Sequence, residues 1–196
     1  MLADPKMSVA EIAAWLDGMG HPQRLEAMST TTKAEQKRLW ELAAASAPIT
    51  AEHFVPASVG TRREVIHHGR NTLPALNSFQ KRFARPEDGS NRFFGYNHAS
   101  TRWLIGPGYF VAHDTEGNAA WQERGAWVVD YFQVPDGPVP DGWPGVRANH
   151  VGLQVLVYFH TRDFMRKVSE HVSIGMAFKN ESSLNNWFTL VREDVT

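Results

Sequence analysis

The first 50 residues carry the hydrophobic spacing of short amphipathic helices. Ser8–Glu11 and Thr32–Glu35 each match a capping box, in which a hydroxyl and a glutamate satisfy each other's backbone N–H groups. Apolar residues follow each box at three- and four-residue spacing, and Pro22 suits the first turn of a helix between them. Pro48 ends the pattern, because proline cannot continue a helix. The sequence therefore predicts about three short helices in residues 1–50.

From residue 51 onward the pattern is typical of β-strands. Aromatic and β-branched residues form short runs separated by Gly, Pro, Asp and Asn, as an antiparallel arrangement requires. Nine strands are predicted: Arg63–Arg70, Ser78–Arg85, Asn91–His98, Thr101–Ile105, Tyr109–Asp114, Ala126–Gln133, Val151–His160, His171–Lys179 and Asn186–Arg192. Thr161–Glu170 breaks this pattern, and the helical spacing of its apolar residues predicts a short helix.

No helix alternates with each strand, which favours an antiparallel sheet over an α/β fold. Eight or nine strands in about 135 residues suit a closed barrel that holds one small ligand, although a strongly curved open sheet gives the same pattern. The predicted fold class is α+β and mostly β: an antiparallel β-barrel or strongly curved sheet behind about three short helices. The chain is therefore predicted to have two parts, a helical segment over residues 1–50 and a barrel-like domain over residues 51–196.

Charge and cysteine content exclude several classes of function. The 20 Lys and Arg balance the 21 Asp and Glu, so no overall positive field attracts a nucleic acid or an anionic membrane. The absence of cysteine excludes disulfides, thiolate metal ligands and cysteine nucleophiles. No run of about eighteen apolar residues is present, and residues 1–7 lack the apolar core of a signal peptide. We therefore expect a soluble, cytoplasmic protein with neither nucleic acid nor membrane as partner.

Aromatic residues suggest both a core and a pocket. Seven Trp and eleven Phe supply large rings, which in β-proteins also line ligand cavities. Trp103, Trp127 and Trp187 each lie in an alternating strand pattern, so they are predicted to be buried in the β-core.

Histidines occur near the predicted strand ends. Residues two apart in a strand share a face, which places Tyr96 beside His98, Tyr109 near His113 and Tyr158 beside His160. The strand that follows His171 has small alternate residues, which leave room for a ligand or for another layer of the protein. The predicted ligand-binding residues are His98, His113, His160, His171, Tyr96, Tyr109, Tyr158 and Trp103.

Motifs of common enzyme classes are absent. The chain has no Gly-x-Ser-x-Gly elbow, no phosphate-binding glycine loop, and neither His-x-x-x-His nor His-Glu-x-x-His. His67 and His68 point to opposite faces of a strand, so they are a poor chelating pair. Asp130 is predicted to be buried in an ion pair with Arg82 or Arg102. The sequence leaves open the catalytic residues, any metal or cofactor, and the oligomeric state.

Three functions are compatible with these observations. The leading hypothesis is a small-molecule-binding β-barrel whose aromatic-lined pocket is polarised by His and Tyr and takes a small apolar or aromatic ligand. The second is an enzyme on the same scaffold that uses a His or an Asp as general base. The third is a protein-interaction module that acts through the N-terminal helices and exposes an apolar patch on them.

Overall fold

The computed structural model describes residue 2 and residues 4–73, 77–100 and 102–195, and for Arg102 the backbone alone. Within this part of the chain, eight antiparallel strands close into a barrel. Each strand pairs with its neighbours in sequence, and the first pairs with the last. The strands are β1 Val65–Asn71, β2 Ser78–Ala84, β3 Arg92–His98, β4 Tyr109–Asp114, β5 Trp127–Asp130, β6 Thr161–Lys167, β7 Val172–Lys179 and β8 Ser182–Arg192. The predicted barrel is confirmed, and the open sheet is excluded.

Three helices of nine or ten residues precede the barrel, as the hydrophobic spacing predicts, and one short helix lies between them and the first strand. The helices are α1 Val9–Asp17, α2 His21–Ser29, α3 Lys33–Leu42 (extended by a 3₁₀ turn, Ala43–Ala45), α4 Ala51–Phe54, α5 Arg102–Ile105, α6 Ala119–Gln122 and α7 Gln154–Val157. Both capping boxes form, and Glu11 and Glu35 each accept the N-cap backbone N–H at 2.8 Å. Within the described residues, no helix combines the length and the apolar character needed to cross a bilayer.

Helices α1–α3 pack on the outer face of the barrel. Their apolar residues Ile12, Leu16 and Leu39 are buried in one cluster with Phe164 and Ile174 on the outward side of β6 and β7. The inward side of the strands forms a second cluster, to which α4 contributes. This part of the barrel wall is therefore buried on both faces. The division of the chain into residues 1–50 and residues 51–196 stays a prediction.

Helix α4 closes one end of the barrel. Phe54 is fully buried, and its ring centroid lies 5.3 Å from that of Phe83 and 5.1 Å from that of Trp127. We call this the lower end; Val65 and Trp127 lie there. The upper end is the opposite one, where β1 ends and β2 begins.

Three sequence predictions of secondary structure are wrong. Thr101 lies outside the described residues, and the rest of the predicted strand Thr101–Ile105 is helix α5. The apolar run Val151–His160 contains turns and α7 instead of a strand, because it lies over the upper end with no strand beside it. The predicted helix Thr161–Glu170 contains strand β6, whose two buried faces conceal the alternation expected of a strand. The count is accordingly eight strands.

The three tryptophans that are predicted to lie in the β-core differ in burial. Trp127 and Trp187 are 4% and 5% exposed, which confirms their predicted burial. Trp103 is 84% exposed, because α5 lies outside the sheet, so its predicted place in the β-core is wrong.

Candidate functional site

Lys81 places an amine inside the barrel. It lies in β2 on the inward face and is 2% exposed. Its Nζ donates to Asp163 Oδ2 at 2.9 Å, to Asn97 Oδ1 at 3.2 Å and to the Tyr131 hydroxyl. Each of the three ammonium protons therefore has an acceptor, which a buried cation requires.

Tyr131 and Asn97 connect this pair to the barrel wall. The Tyr131 hydroxyl donates to Asp163 Oδ2 at 3.2 Å and accepts from Asn97 Nδ2 at 2.9 Å. Asn97 Nδ2 also donates to the carbonyl of Gly108 at 3.2 Å. We call Lys81, Asn97, Tyr131 and Asp163 the interior quartet. Its members come from β2, β3, the residue after β5, and β6.

Aromatic rings surround the ammonium of Lys81. The ring centroids of Phe79, Phe110, Tyr131 and Phe188 lie 5.0–5.7 Å from Nζ. Ring faces attract a cation, and this attraction grows where water is excluded. The rings thus supply part of the environment that keeps a charged group in the interior.

Glycines make room for two of these rings. Gly95 pairs with Phe110 across β3 and β4, and Gly175 pairs with Phe188 across β7 and β8. A Cβ atom would lie 2.3 Å from the Phe110 ring at Gly95 and 2.2 Å from the Phe188 ring at Gly175. The small inward residue of β7 therefore accommodates a ring of the protein itself.

Burial sets the protonation of the quartet. It lowers the pKa of Lys81, and the neighbouring Asp163 carboxylate opposes this shift. Burial also raises the pKa of Tyr131 well above its usual value, and the charge of Asp163 adds to that effect. Tyr131 therefore stays protonated and donates to the carboxylate. Zinc prefers several imidazole, thiolate or carboxylate ligands, whereas the quartet has a single carboxylate and no imidazole. The quartet is therefore a hydrogen-bonding site and not a zinc site.

The segment around α7 covers the quartet at the upper end. The Tyr158 ring stacks on Tyr131 with centroids 5.2 Å apart, and Gln154 Oε1 accepts from the Gly108 N–H at 2.9 Å. Gly108 has a φ of 53°, and a Cβ there would lie 2.4 Å from the Tyr158 ring. Only glycine fits both the conformation and the contact. Gln154 and Tyr158 thus form the lid of the quartet.

A cleft of about 350 Å³ lies outside this lid, and we call it the upper cleft. Trp103 and Leu153 line it and are 84% and 47% exposed. Arg147 also lines it, and its guanidinium has no hydrogen bond or ion pair to any described residue. Gln154 belongs to both the cleft and the lid, so the two are adjacent.

Three of the predicted site residues lie together on the outer face of β3 and β4. The Tyr96 ring centroid lies 6.2 Å from that of His98 and 5.6 Å from that of Tyr109. Trp143 packs on Tyr96 at 4.9 Å, and the Tyr109 hydroxyl donates to the Pro144 carbonyl. The loop after β5 therefore covers this cluster.

The other predicted histidines occupy different places. His113, at the lower end of β4, has Nε2 3.9 Å from Asp130 Oδ2. His160 stacks between Phe132 and Phe159 beside the upper end. His171 precedes β7 at the lower end, 3.2 Å from Asp194.

Two of the predicted residues have side chains at the upper cleft or in the lid. Trp103 lines the upper cleft, and Tyr158 belongs to the lid. Ligand binding by the predicted His, Tyr and Trp residues stays a prediction.

Asp130 is buried, as its strand face predicts, and a cation that was not among its predicted partners lies beside it. Arg162 lies opposite Asp130 across β5 and β6, with Nε 3.3 Å from Oδ1. Arg82 instead pairs with Glu64 at 3.0 Å, and the side chain of Arg102 lies outside the described residues.

The lower end holds a different set of buried polar groups. His67 points inward, its Nε2 lies 3.0 Å from the Phe54 carbonyl oxygen, and burial lowers its pKa to about 3. Burial and the neighbouring His67 lower the pKa of His53 well below its usual value, and neither of its ring nitrogens bonds to a described residue. Both imidazoles are therefore neutral near pH 7. The predicted opposite orientations of His67 and His68 are confirmed, since His67 is fully buried and the side chain of His68 is 31% exposed.

The interior quartet is the part of the site that sequence reasoning missed. Lys81 and Asp163 are 82 residues apart, and no local motif connects them. One signal is available in the sequence: Lys81 alternates with Phe79 and Phe83, so a cation occupies the aromatic face of its strand.

No family model, no curated protein and no solved structure matches this chain.

Proposed function

We propose that this protein is a small-molecule-binding β-barrel whose ligand binds in the upper cleft. The observation that carries the proposal is the combination of exposed apolar side chains with the unpaired Arg147 directly outside the lid of the quartet. A cleft of about 350 Å³ is within the range of small-molecule sites, which are mostly apolar with a few polar groups that fix orientation.

Exposed apolar side chains concentrate around the upper end. Trp103, Leu104, Val151, Leu153 and Leu156 are 47–84% exposed, and all belong to the α5 and α7 regions. Contiguous exposed apolar surface usually marks a binding site. The apolar faces of α1–α3 are buried against the barrel instead, which favours ligand binding over an interaction role for these helices.

The lining residues indicate the class of ligand. The Trp103 indole and the Leu153 side chain suit an apolar or aromatic body, and Arg147 suits a carboxylate or a similar anion. The interior below the lid is filled by Phe rings around Lys81. The body of the ligand therefore lies in the cleft, and only a group that displaced Tyr158 would reach the donors of the quartet.

Fluorescence titration with 1-anilinonaphthalene-8-sulfonate, an aromatic anion, tests the proposal. We expect saturable binding at one site per chain. Arg147→Gln should weaken it about threefold to fivefold, the effect of losing one exposed charge pair. Trp103→Ala should weaken it about tenfold or more, as for an aromatic anchor in a binding site. Aromatic carboxylic acids should displace the dye.

Arg63→Gln is the matched control. Arg63 is another exposed arginine, but it lies just before β1 at the lower end. Its replacement should leave the affinity unchanged. The proposal fails if the dye does not saturate a single site, or if Arg63→Gln and Arg147→Gln weaken binding equally.

A further inference from the structure

Three metal-ligating side chains from distant parts of the sequence meet on the outside of the barrel. They are His21, the first residue of α2, His68 in β1, and Glu193, the residue after β8. One potential ligand atom of each lies within 4.8 Å of the other two. This cluster shares no residue with the upper cleft or the quartet.

Two of the three side chains bond to each other, and the third lies beside them. His68 Nε2 lies 2.8 Å from Glu193 Oε1, and the His21 and His68 ring centroids are 5.7 Å apart. Nδ1 of His21 is buried and has no hydrogen bond to a described residue. All three residues are partly exposed, so an ion can reach them from solvent.

We propose that His21, His68 and Glu193 bind a divalent transition-metal ion of the zinc type. Two imidazole nitrogens and one carboxylate oxygen form a donor set that zinc accepts, whereas calcium and magnesium prefer oxygen ligands alone. Tetrahedral zinc separates its ligand atoms by roughly 3.4 Å. Atoms that already lie within 4.8 Å of one another therefore need only small side-chain rotations. The three ligands leave the fourth position to water.

The ion would tie the helical layer to the barrel. His21 belongs to α2, whereas His68 and Glu193 belong to the barrel wall and to the segment that leaves it. An ion that binds only this folded arrangement stabilises it by mass action. We therefore expect zinc to raise the melting temperature by about 5–10 °C at a concentration of one hundred times Kd.

Calorimetric titration of the untagged full chain, freed of metal, with Zn²⁺ tests the proposal, together with Co²⁺ as a spectroscopic probe. We expect one Zn²⁺ per chain and the visible absorption of four-coordinate Co²⁺. His21→Ala and His68→Asn should each weaken Zn²⁺ binding about tenfold or more and reduce the rise in melting temperature to about half or less. Glu193→Gln should weaken binding while it preserves the shape of the side chain.

His150→Ala is the matched control, because His150 is an exposed histidine beside the upper end. It should bind Zn²⁺ like the unaltered protein. The melting temperature of each metal-free variant separates a lost ligand from a lost fold, and His21→Ala is expected to fold because His21 is only partly buried. Absence of stoichiometric binding at micromolar Zn²⁺ overturns the proposal. Binding that survives in a His21→Ala/His68→Asn double variant overturns it as well.

Discussion

At the lower end of the barrel, the buried polar groups include the neutral imidazoles of His53 and His67, whereas at the upper end they include the ion pair of Lys81 and Asp163. The imidazoles have few partners, since His53 has no hydrogen bond from its ring to a described residue. The lysine has three acceptors and a ring of aromatic side chains. A buried imidazole can lose its proton and become neutral. A buried lysine that stays charged at neutral pH needs hydrogen-bond acceptors and a counter-charge.

The two ends also differ in how the chain closes them. Phe54 of α4 fills the lower end from within and is fully buried. Gln154 and Tyr158 cover the upper end, and the apolar residues around them stay exposed. The lower end therefore contributes mainly to stability, whereas the upper end presents a surface that can bind a ligand. The following variants test that separation.

Phe54→Ala should produce the largest effect. Removal of a fully buried ring leaves a cavity at the lower end, and such a change costs about 3–5 kcal/mol of the free energy of unfolding. Urea denaturation followed by tryptophan fluorescence measures this loss. Phe132→Ala, at a 46% exposed site beside the upper end, should cost less than about 1 kcal/mol. Equal losses at the two sites would contradict the division between the ends.

Lys81→Met tests the upper end. Removal of the ammonium leaves the Asp163 carboxylate buried with less compensation, which should cost about 3 kcal/mol. The Tyr131 hydroxyl still donates to Asp163, so the loss should not exceed that for Phe54→Ala. The double variant Lys81→Met/Asp163→Val is the control and should unfold within about 1 kcal/mol of the unaltered protein. If the double variant loses as much as the sum of its two single variants, the two charges do not act as a pair.

Acid should destabilise the protein through its lower end. The folded pKa of His67 is about 3, below the ordinary value of 6.5. Its contribution to stability is therefore fully present above pH 6.5 and is lost as the pH falls from there toward 3. The free energy of unfolding should decrease by about 1.4 kcal/mol per pH unit in this window for each such group, and His53 acts in the same direction.

His67→Gln should reduce the slope of the free energy of unfolding against pH by about 1.4 kcal/mol per pH unit, which corresponds to one proton. Glutamine retains a donor for the Phe54 carbonyl, and it does not titrate. Urea denaturation at several pH values between 4 and 7 measures the slope. His113→Gln is the control. The nearby Asp130 carboxylate raises the pKa of His113, so the contribution of His113 is lost as the pH rises above 6.5 and does not affect the acid slope. An unchanged slope in His67→Gln would show that His67 is not a source of acid sensitivity.

Most of the fold follows from local sequence patterns. The two capping boxes position α1 and α3, and the alternation of Phe79, Lys81 and Phe83 marks β2. Such signals depend only on neighbouring residues. They fail in β6, where Phe164 lies beneath the helices while Asp163 and Met165 point inward. A strand buried on both faces loses its alternation.

The candidate site was less predictable, because it depends on which strands adjoin. Asp163 reaches Lys81 across the barrel interior, and His21 meets His68 only because α2 packs on the outer wall. Exposed apolar residues cause the opposite error, because in the sequence they resemble a buried strand. The run that includes Leu156 has the composition of a strand, but that residue is 71% exposed at the upper end. A binding surface and a core strand require the same apolar residues.

Trp103→Ala should change the free energy of unfolding least of all. Its indole is 84% exposed at the upper cleft, so its loss should change stability by no more than about 0.5 kcal/mol. Trp127→Ala is the matched control, because it removes the same kind of side chain from the lower end. The Trp127 ring is 4% exposed and contacts Phe54, so its removal should cost about 3–5 kcal/mol of the free energy of unfolding. Urea denaturation monitored by circular dichroism avoids the change in fluorescence. A loss above about 1.5 kcal/mol for Trp103→Ala would place this ring in the core, and the upper cleft would lose its aromatic wall. A small loss of stability together with weakened dye binding would assign Trp103 to the ligand.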